Sequence, residues 1–476
     1  MTRQKTNECV NSIEIDEDNS DINSKENNSN DNKYKYKNNE EEDEMEEEKE
    51  NKKAKSFIFN MIILKSGNIA ISRKEAVEIY NFNDLEFPKD KNYIRSTGLK
   101  NNEYLLQRIN LVKGKYIRYV LQLFDETLLC ASFSKIFRIK LINEDANYEL
   151  LSYIKMGQKE ISTKIISLDT SFLVVLAEQK TYCHLKIFQK ISGEEKNNLL
   201  KNKINDENVQ KNNNEMANSN SNNCGDVPPI GNCSLFSNKE ICEDKSFKQI
   251  YKNIHKEKTV LISIYPISKK SNSFNKNSDD NNENYLYEFI ATSNCVYNSG
   301  KDIVEFYGIK AGEKGAYNVK KIKEITGISC STEADSICQI SNRYLCIGLK
   351  KHNFKGQKSG FAIIDIFKRE NYGIIRDQEI SCIFFNPKNQ LLFASMEVRN
   401  TKKYYFSTKI YKINNVEDEI EFEKIYQYNN KQDDVITSIL QINSFDANLN
   451  DQNNLNNIIF LTSSNDSTLE IVRAGM

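Results

Sequence analysis

The sequence predicts an all-β chain: a seven-bladed β-propeller of four-stranded blades, with a disordered acidic N-terminal tail and Asn-rich loop insertions. Three observations lead there. First, a short apolar–charged–apolar–aromatic cassette recurs, as "AVEIYNF" at residues 76–82 and again as "HLKIFQK", "IVEFYGI", "AIIDIFK", "STKIYKI" and "TLEIVRA". Second, each cassette closes a unit of three short runs rich in Ile, Val, Phe and Tyr, and seven such units follow one another. Third, turn-forming polar residues separate the runs, and several runs alternate with period two, the signature of strands.

The units read in order. The first is "SFIFNMIIL", "GNIAIS", "AVEIYNF"; the second is "RYVLQLF", "TLLCASF", "KIFRIKLI". The third is "TKIISLD", "FLVVLAE", "CHLKIFQ", and the fourth "VLISIYP", "YEFIATS", "DIVEFYG". The fifth is "SICQIS", "RYLCIGL", "FAIIDIF"; the sixth "ISCIFFN", "QLLFASM", "STKIYKI"; the seventh "VITSILQ", "IIFLTSS", "TLEIVRA". A fourth run follows some units, as in "YELLSYI" and "FEKIYQY". Radially repeated sheets of three or four short strands are the pattern of a propeller. The cassette is then the third strand of each blade. Its aromatic positions are Tyr80, Phe188, Tyr307, Phe367 and Tyr411, with Lys140 and Val472 standing there in the second and seventh units. These aromatics are expected to pack between blades, where truncation of a buried ring to Ala costs about 3–5 kcal/mol.

The domains follow from composition. Residues 1–54 form the acidic tail and residues 55–476 the propeller, with disordered insertions near 193–246, 269–284 and 446–456. The tail holds too little apolar surface to offset its ordering entropy. The insertions are Asn/Ser/Lys tracts of the kind that lengthen surface loops at small entropic cost. The last unit ends on its third strand at Met476. Its outer strand is expected from "AKSFIFN", from "NSIEIDE" or from an irregular closure.

Charge and cysteines bound the partners. The formal net charge is −1, but positions 1–50 carry 17 acidic and 7 basic residues, a net of −10 against +9 for the remainder. A weakly positive remainder without a basic stripe makes no case for nucleic acid. The run Glu40–Glu50 reads as a solubilising tail or as an arm for a basic partner. The 11 cysteines are scattered and odd in number, and "MTRQKTNECV" has no apolar leader segment. Both point to a reducing compartment, cytoplasmic or nuclear. No run approaches the length of a spanning helix.

The last unit, "DDVITSILQI…NIIFLTSSNDSTLEIV", resembles the WD40 repeat: an apolar first strand, a small-residue-rich second strand, a tight turn and an aliphatic third strand. Asp466 matches the family's turn Asp. "MIILKSGNIAISRKEAVEIYN" is similar, with Tyr80 at the Trp place and Asn81 at the Asp place of the family's terminal dipeptide. The resemblance covers residues 56–476. The Trp–Asp and Gly–His pairs are missing, and the chain has no Trp at all. Spacings between the aromatic positions run from 44 to 61 residues, with one of 119, against about 40–45 for an uninterrupted WD40 repeat.

Chemistry-bearing residues are sparse. His184 sits in a strand beside Cys183, while His255 and His352 flank strands. Cys224, Cys233 and Cys242 fall in the longest insertion, and no CxxC pair occurs. None of these has metal-ligand spacing, and phosphate-loop, dinucleotide, nucleophile-elbow and HExxH motifs are absent. No catalytic residue, metal or cofactor is therefore expected. The resemblance implies a non-catalytic protein–protein interaction scaffold. A propeller enzyme or small-ligand binder at the channel mouth, and an acidic-tail chaperone for basic proteins, are the alternatives.

Overall fold

The computed structural model describes residues 57–474 except 83–84, 86, 88–91, 96–103, 112–115, 144–146, 158, 180–181, 192–241, 256–258, 269–284, 296–301, 314–315, 332–334, 351–358, 401–402, 417–418 and 443–457. It contains seven sheets, each of four antiparallel strands, and no α-helix among the described residues. Within a blade the strands are a to d from the axis outward.

Blade 1 comprises β1 (Asn60–Ile63), β2 (Ile69–Ser72) and β3 (Ala76–Tyr80), completed by β5 (Leu105–Asn110). Between β3 and β5 lies β4 (Tyr93–Arg95). Blade 2 is β6 (Tyr119–Gln122), β7 (Leu128–Ala131), β8 (Lys135–Asn143) and β9 (Asn147–Lys155). Blade 3 is β10 (Ile161–Leu168), β11 (Phe172–Gln179), β12 (Tyr182–Lys190) and β13 (Phe247–His255). Blade 4 is β14 (Thr259–Ile267), β15 (Tyr287–Cys295), β16 (Ile303–Ala311) and β17 (Tyr317–Thr326). Blade 5 is β18 (Ile337–Gln339), β19 (Tyr344–Leu349), β20 (Gly360–Asp365) and β21 (Glu370–Arg376). Blade 6 is β22 (Glu379–Asn386), β23 (Leu391–Asn400), β24 (Lys403–Val416) and β25 (Glu419–Asn429). Blade 7 is β26 (Ile436–Gln441), β27 (Ile459–Ser464) and β28 (Leu469–Arg473), and its outer strand is β4.

The ring therefore closes irregularly. After the third strand of blade 1 the chain leaves its own sheet. It supplies the fourth strand of blade 7, where Tyr93, Ile94 and Arg95 pair with Val472, Ile471 and Glu470, and then returns as β5. The Arg473 N–H extends this ladder by donating to the Asn92 carbonyl at 2.8 Å. The segment "AKSFIFN" leads instead into β1, the inner strand of blade 1. The closure through "NSIEIDE" lies outside the described residues, as do the tail 1–54 and the stretches 193–241, 269–284 and 446–456. Residues 242–246, assigned to the long insertion, are described. Cys242 and Asp244 exchange backbone hydrogen bonds with Tyr153 of β9.

Strands b and c are apolar on both faces because each sheet packs between two others. All residues of β2, β3, β7, β19 and β20 are buried. The core is accordingly a series of inter-blade clusters, such as Leu345, Ile347, Ala362 and Ile364 of blade 5 against Ile290, Val304 and Phe306 of blade 4. Outer strands alternate, as in β17.

A second repeated device is polar. Gln122, Gln339 and Gln441 end three inner strands at corresponding positions. Each holds the a–b turn of the preceding blade. The Gln122 Oε1 accepts the Lys65 N–H (2.8 Å), and the Gln339 amide bonds both the N–H and the carbonyl of Ser268 (3.0 Å each). Gln441 Oε1 accepts from Asn386 (2.8 Å) and Asn389 (3.3 Å).

Candidate functional site

Because strands alternate in direction, each end of the ring has its own set of connections. The upper end carries the b–c connections and the d–a links to the next blade. The lower end carries the a–b and c–d connections. Among the described residues most buried ionisable groups lie toward the upper end, in two layers, while Glu288 with Arg369 and Asp365 with Arg343 lie at the lower end.

The outer layer repeats along the third strands. In blades 1, 2, 3, 4, 5 and 6 a β-bulge interrupts the c–d ladder at the same place, just before Tyr80, Ile139, Phe188, Tyr307, Ile364 and Tyr411. Tyr80, Phe188, Tyr307 and Tyr411 are buried, at 6%, 4%, 1% and 5% exposure. In blade 5 the position belongs to Ile364, fully buried; Phe367 lies three residues on, in the c–d turn, 36% exposed. The "IDIF" alternation runs past the strand end at Asp365, so the cassette matches three residues out of register. In blade 2 the position is Ile139 rather than Lys140, whose side chain is exposed. Val472 of blade 7 is buried.

Two residues before this position stands a charge in five blades: Glu78, Lys186, Glu305, Lys409 and Glu470. Each is answered. Glu78 accepts from Tyr80 Oη (2.8 Å) and pairs with Arg73 and Arg108. Burial and the adjacent Glu78 push the Tyr80 phenol up to about 12. Glu305 accepts from Tyr307 Oη (3.0 Å) and Lys321 (3.3 Å). Glu470 accepts from Tyr428 Oη of the preceding blade (3.0 Å), from Asn430 (3.3 Å) and from the Lys431 N–H (3.2 Å). Where the strand carries a lysine, the carboxylate comes from the preceding d–a connection: Asp377 binds Lys409 and Tyr411, and Glu160 binds Lys186. Burial alone would raise the Asp377 and Glu160 carboxyls, but their lysine partners overcome it and hold both low. The signs are exchanged and the pair is kept, as desolvated charge requires.

His184 shares the Glu160 site. Its Nδ1 lies 3.5 Å from Glu160 Oε1, and neither ring nitrogen has a hydrogen-bond partner. Lys186 lies two residues along the strand and Lys252 stands 3.6 Å from Glu160. Burial, then Lys252, depresses the imidazole pKa against the pull of Glu160. His184 is therefore neutral at pH 7.

The inner layer crosses the axis. The d–a connection ahead of β18 carries Asp335 over blade 6, where its carbonyl accepts the Ile383 N–H (2.7 Å). Its carboxylate accepts from Ser438 Oγ of blade 7 (3.0 Å) and lies 3.8 Å from Lys164 Nζ of blade 3. Lys164 also donates to Ser263 Oγ of blade 4 (2.9 Å). Burial lowers the Lys164 pKa, and Asp335 opposes the shift. Lys164 and Ser438 are nearly inaccessible, while the Asp335 side chain is 25% exposed, so the bridge links inner strands of separate blades. Among the described residues no cluster of His, Cys, Asp or Glu has the geometry to hold a metal ion.

Asp466 organises the b–c turn of blade 7. Its Oδ1 accepts the Thr468 N–H (2.9 Å) and hydroxyl (2.5 Å), and its Oδ2 accepts the Asp433 N–H (2.8 Å). The turn is thereby tied to the connection from blade 6. His255 and His352, with Cys224 and Cys233, have side chains outside the described set; Cys242 is exposed and Cys130, Cys183, Cys346 and Cys382 are buried.

Known proteins add the following. No family profile matches the chain, and no curated protein matches it. Among solved structures, the Dos1 propeller is 9% identical, covering 88% of this chain and 92% of that one, with a TM-score of 0.43. A protein of unknown function from Bacteroides caccae is 10% identical, covering 67% of this chain and 81% of that one, with a TM-score of 0.32. Neither likeness bears on function.

Two predictions follow from the geometry. Tyr307→Ala should lose about 3–5 kcal/mol of stability, because Tyr307 is 1% exposed and stacks on Phe289 at 5.2 Å. Phe367→Ala should change it by less than about 0.5 kcal/mol; denaturant unfolding of both variants checks the register. The depressed His184 pKa means that the unfolded chain takes up a proton that the folded one refuses. Stability should then fall as pH drops below about 6.5, the unfolded value. Melting temperatures from pH 7.5 to 5.5 should fall less steeply in His184→Gln than in the unsubstituted protein, and equal slopes would refute the assignment.

Proposed function

We propose that the protein is a non-catalytic protein–protein interaction scaffold, a divergent WD40-like ring of the cytoplasm or nucleus. One observation carries the reading: the Lys164–Asp335–Ser438 bridge ties together blade 3, the link into blade 5, and blade 7. Lys164, Asp335 and Ser438 are engaged with one another and with Ser263, which ties inner strands together. What the molecule offers to others is its outside, a rigid frame with connections at two ends, and such frames position binding loops. Glu160, Lys164 and Asp377, whose pKa values are shifted, each face an oppositely charged side chain (Lys186, Asp335 and Lys409), which supports structural work over proton transfer. Among the described residues no helix is long and apolar enough to cross a membrane.

Cross-linking followed by affinity purification of the full-length protein, in low and high salt, tests this. A partner in stoichiometric yield at both salts is the expected result. Replacing the glutamates of Glu40–Glu50 by glutamine separates the tail: a partner lost with that change and with salt would instead make the acidic arm the binding element. Absence of any partner would overturn the scaffold reading.

A further inference from the structure

Among the described residues eight large apolar side chains stand exposed, and six of them lie at the lower end: Ile63, Phe124, Ile142, Leu286, Phe367 and Tyr372. Phe124, 56% exposed, borders a small cleft between the a–b turns of blades 2 and 3. Phe172 and Phe247 supply further apolar lining, and Ser167, Asp169 and Lys190 supply polar lining.

A missing glutamine accounts for the cleft. In blades 1, 2, 3 and 5 the a–b turn has one length, closed by the cross-strand pairs Ile63–Ile69, Gln122–Leu128, Ser167–Leu173 and Gln339–Leu345. From that position Gln122 and Gln339 each reach the turn of the preceding blade. Blade 3 has Ser167 there, and its hydroxyl turns back onto the Asp169 carbonyl at 2.6 Å. The Lys65 N–H that Gln122 receives corresponds in blade 2 to the Phe124 N–H. That donor has no acceptor among the described residues. The junction of blades 2 and 3 therefore keeps a gap and a free main-chain donor where its neighbour has a side-chain amide.

The turn that carries Phe124 is nonetheless fixed. Lys65 Nζ donates to the Phe124 carbonyl (2.6 Å), and Asp125 Oδ1 accepts the Thr127 N–H (3.2 Å) and hydroxyl (2.6 Å). A ring held in water by a rigid turn is already organised for contact.

The charges at the cleft leave one place open. Asp125 is answered by Arg138 (2.6 Å) and Lys190 (3.2 Å), and Arg138 also reaches Asp244 (3.4 Å). Asp169 stands beside this network. It accepts the Tyr287 hydroxyl (3.1 Å) and has no cation within ion-pair distance among the described residues.

Resting on the scaffold reading, we propose that this cleft is a docking point for a partner protein, and that its occupant is an extended segment of the partner bearing an arginine among apolar residues. A guanidinium offers two parallel donors to a carboxylate and lies flat on aromatic rings. Asp169 and Phe124 supply those two surfaces side by side. The Phe124 N–H takes a main-chain carbonyl of the segment. An acidic segment fits less well, because Lys190 is already engaged by Asp125 and Asp169 would repel it.

A short fluorescein-labelled peptide with one arginine between leucines, titrated into the full-length protein and read by anisotropy, tests the proposal. Saturable binding is expected, at least about tenfold tighter than for a copy with glutamate in place of arginine. Ser167→Gln should restore the clamp, fill the gap and weaken binding about tenfold or more at an unchanged melting temperature. Asp169→Asn should weaken it similarly, since asparagine tolerates the left-handed backbone at that position (φ +59°). Phe367→Ala, at the lower end of blade 5, should leave it within about twofold. No binding, equal binding of the glutamate copy, or full affinity in either folded cleft variant overturns the proposal. So does competition by a free arginine amide at the peptide's own affinity, which would make the cleft a small-cation site. Failure here with a partner still captured by cross-linking removes this cleft and leaves the scaffold; failure of both removes the scaffold.

Discussion

Everything in this structure depends on covering the last edge. A closed ring of sheets is stable only if no blade is left short of a strand, because an open edge leaves backbone groups unpaired and invites foreign strands. The third strand of blade 7 is covered by Tyr93–Arg95, drawn from the middle of blade 1. The first and last blades thus share one connection. Blade 1 cannot complete itself until the chain has visited blade 7 and come back. Thr437 reinforces the seam by donating to the Ile58 carbonyl (3.2 Å).

With the ring closed, apolar faces hold the sheets together, and in five blades a paired charge is set beside them. The charge above the bulge is glutamate in three blades and lysine in two, and the partner changes sign with it. A buried charge left alone is costly, so the sign is exchanged together with its partner's and no member of a pair is lost singly. Blades 2 and 5 dispense with the pair and place Phe137 and Ala362 at that point. The Asp335 bridge performs the same service across the axis, joining blades that do not touch around the rim.

The blades were legible because their information is local. Runs such as "FLVVLAE" and "FAIIDIF" carry continuous apolarity that only a strand buried on both faces requires, and they became β11 and β20. Register was less legible. "IDIF" satisfies the alternation as well as "AII" does, and only the ladder shows that the strand ends at Asp365 and leaves Phe367 in the turn. The one-residue slip at Lys140 has the same origin, since a bulge shifts alternation without marking the sequence. The closing strand was hidden because three residues, Tyr93–Arg95, have no periodicity, and their partner lies at the far end of the chain. The glutamines of "YVLQ", "ICQ" and "ILQ" were visible as residues. Their meaning needed the topology that assigns each connection to an end.

The closure is tested most directly by amide hydrogen exchange on the full-length protein, comparing residues 93–95 with 469–473 before and after Ile94→Pro. The structure predicts that both segments are protected together, and that proline at 94, which removes a ladder donor, releases both. Free exchange at 93–95 alongside unchanged protection at 469–473 would contradict the shared strand and the ring built on it.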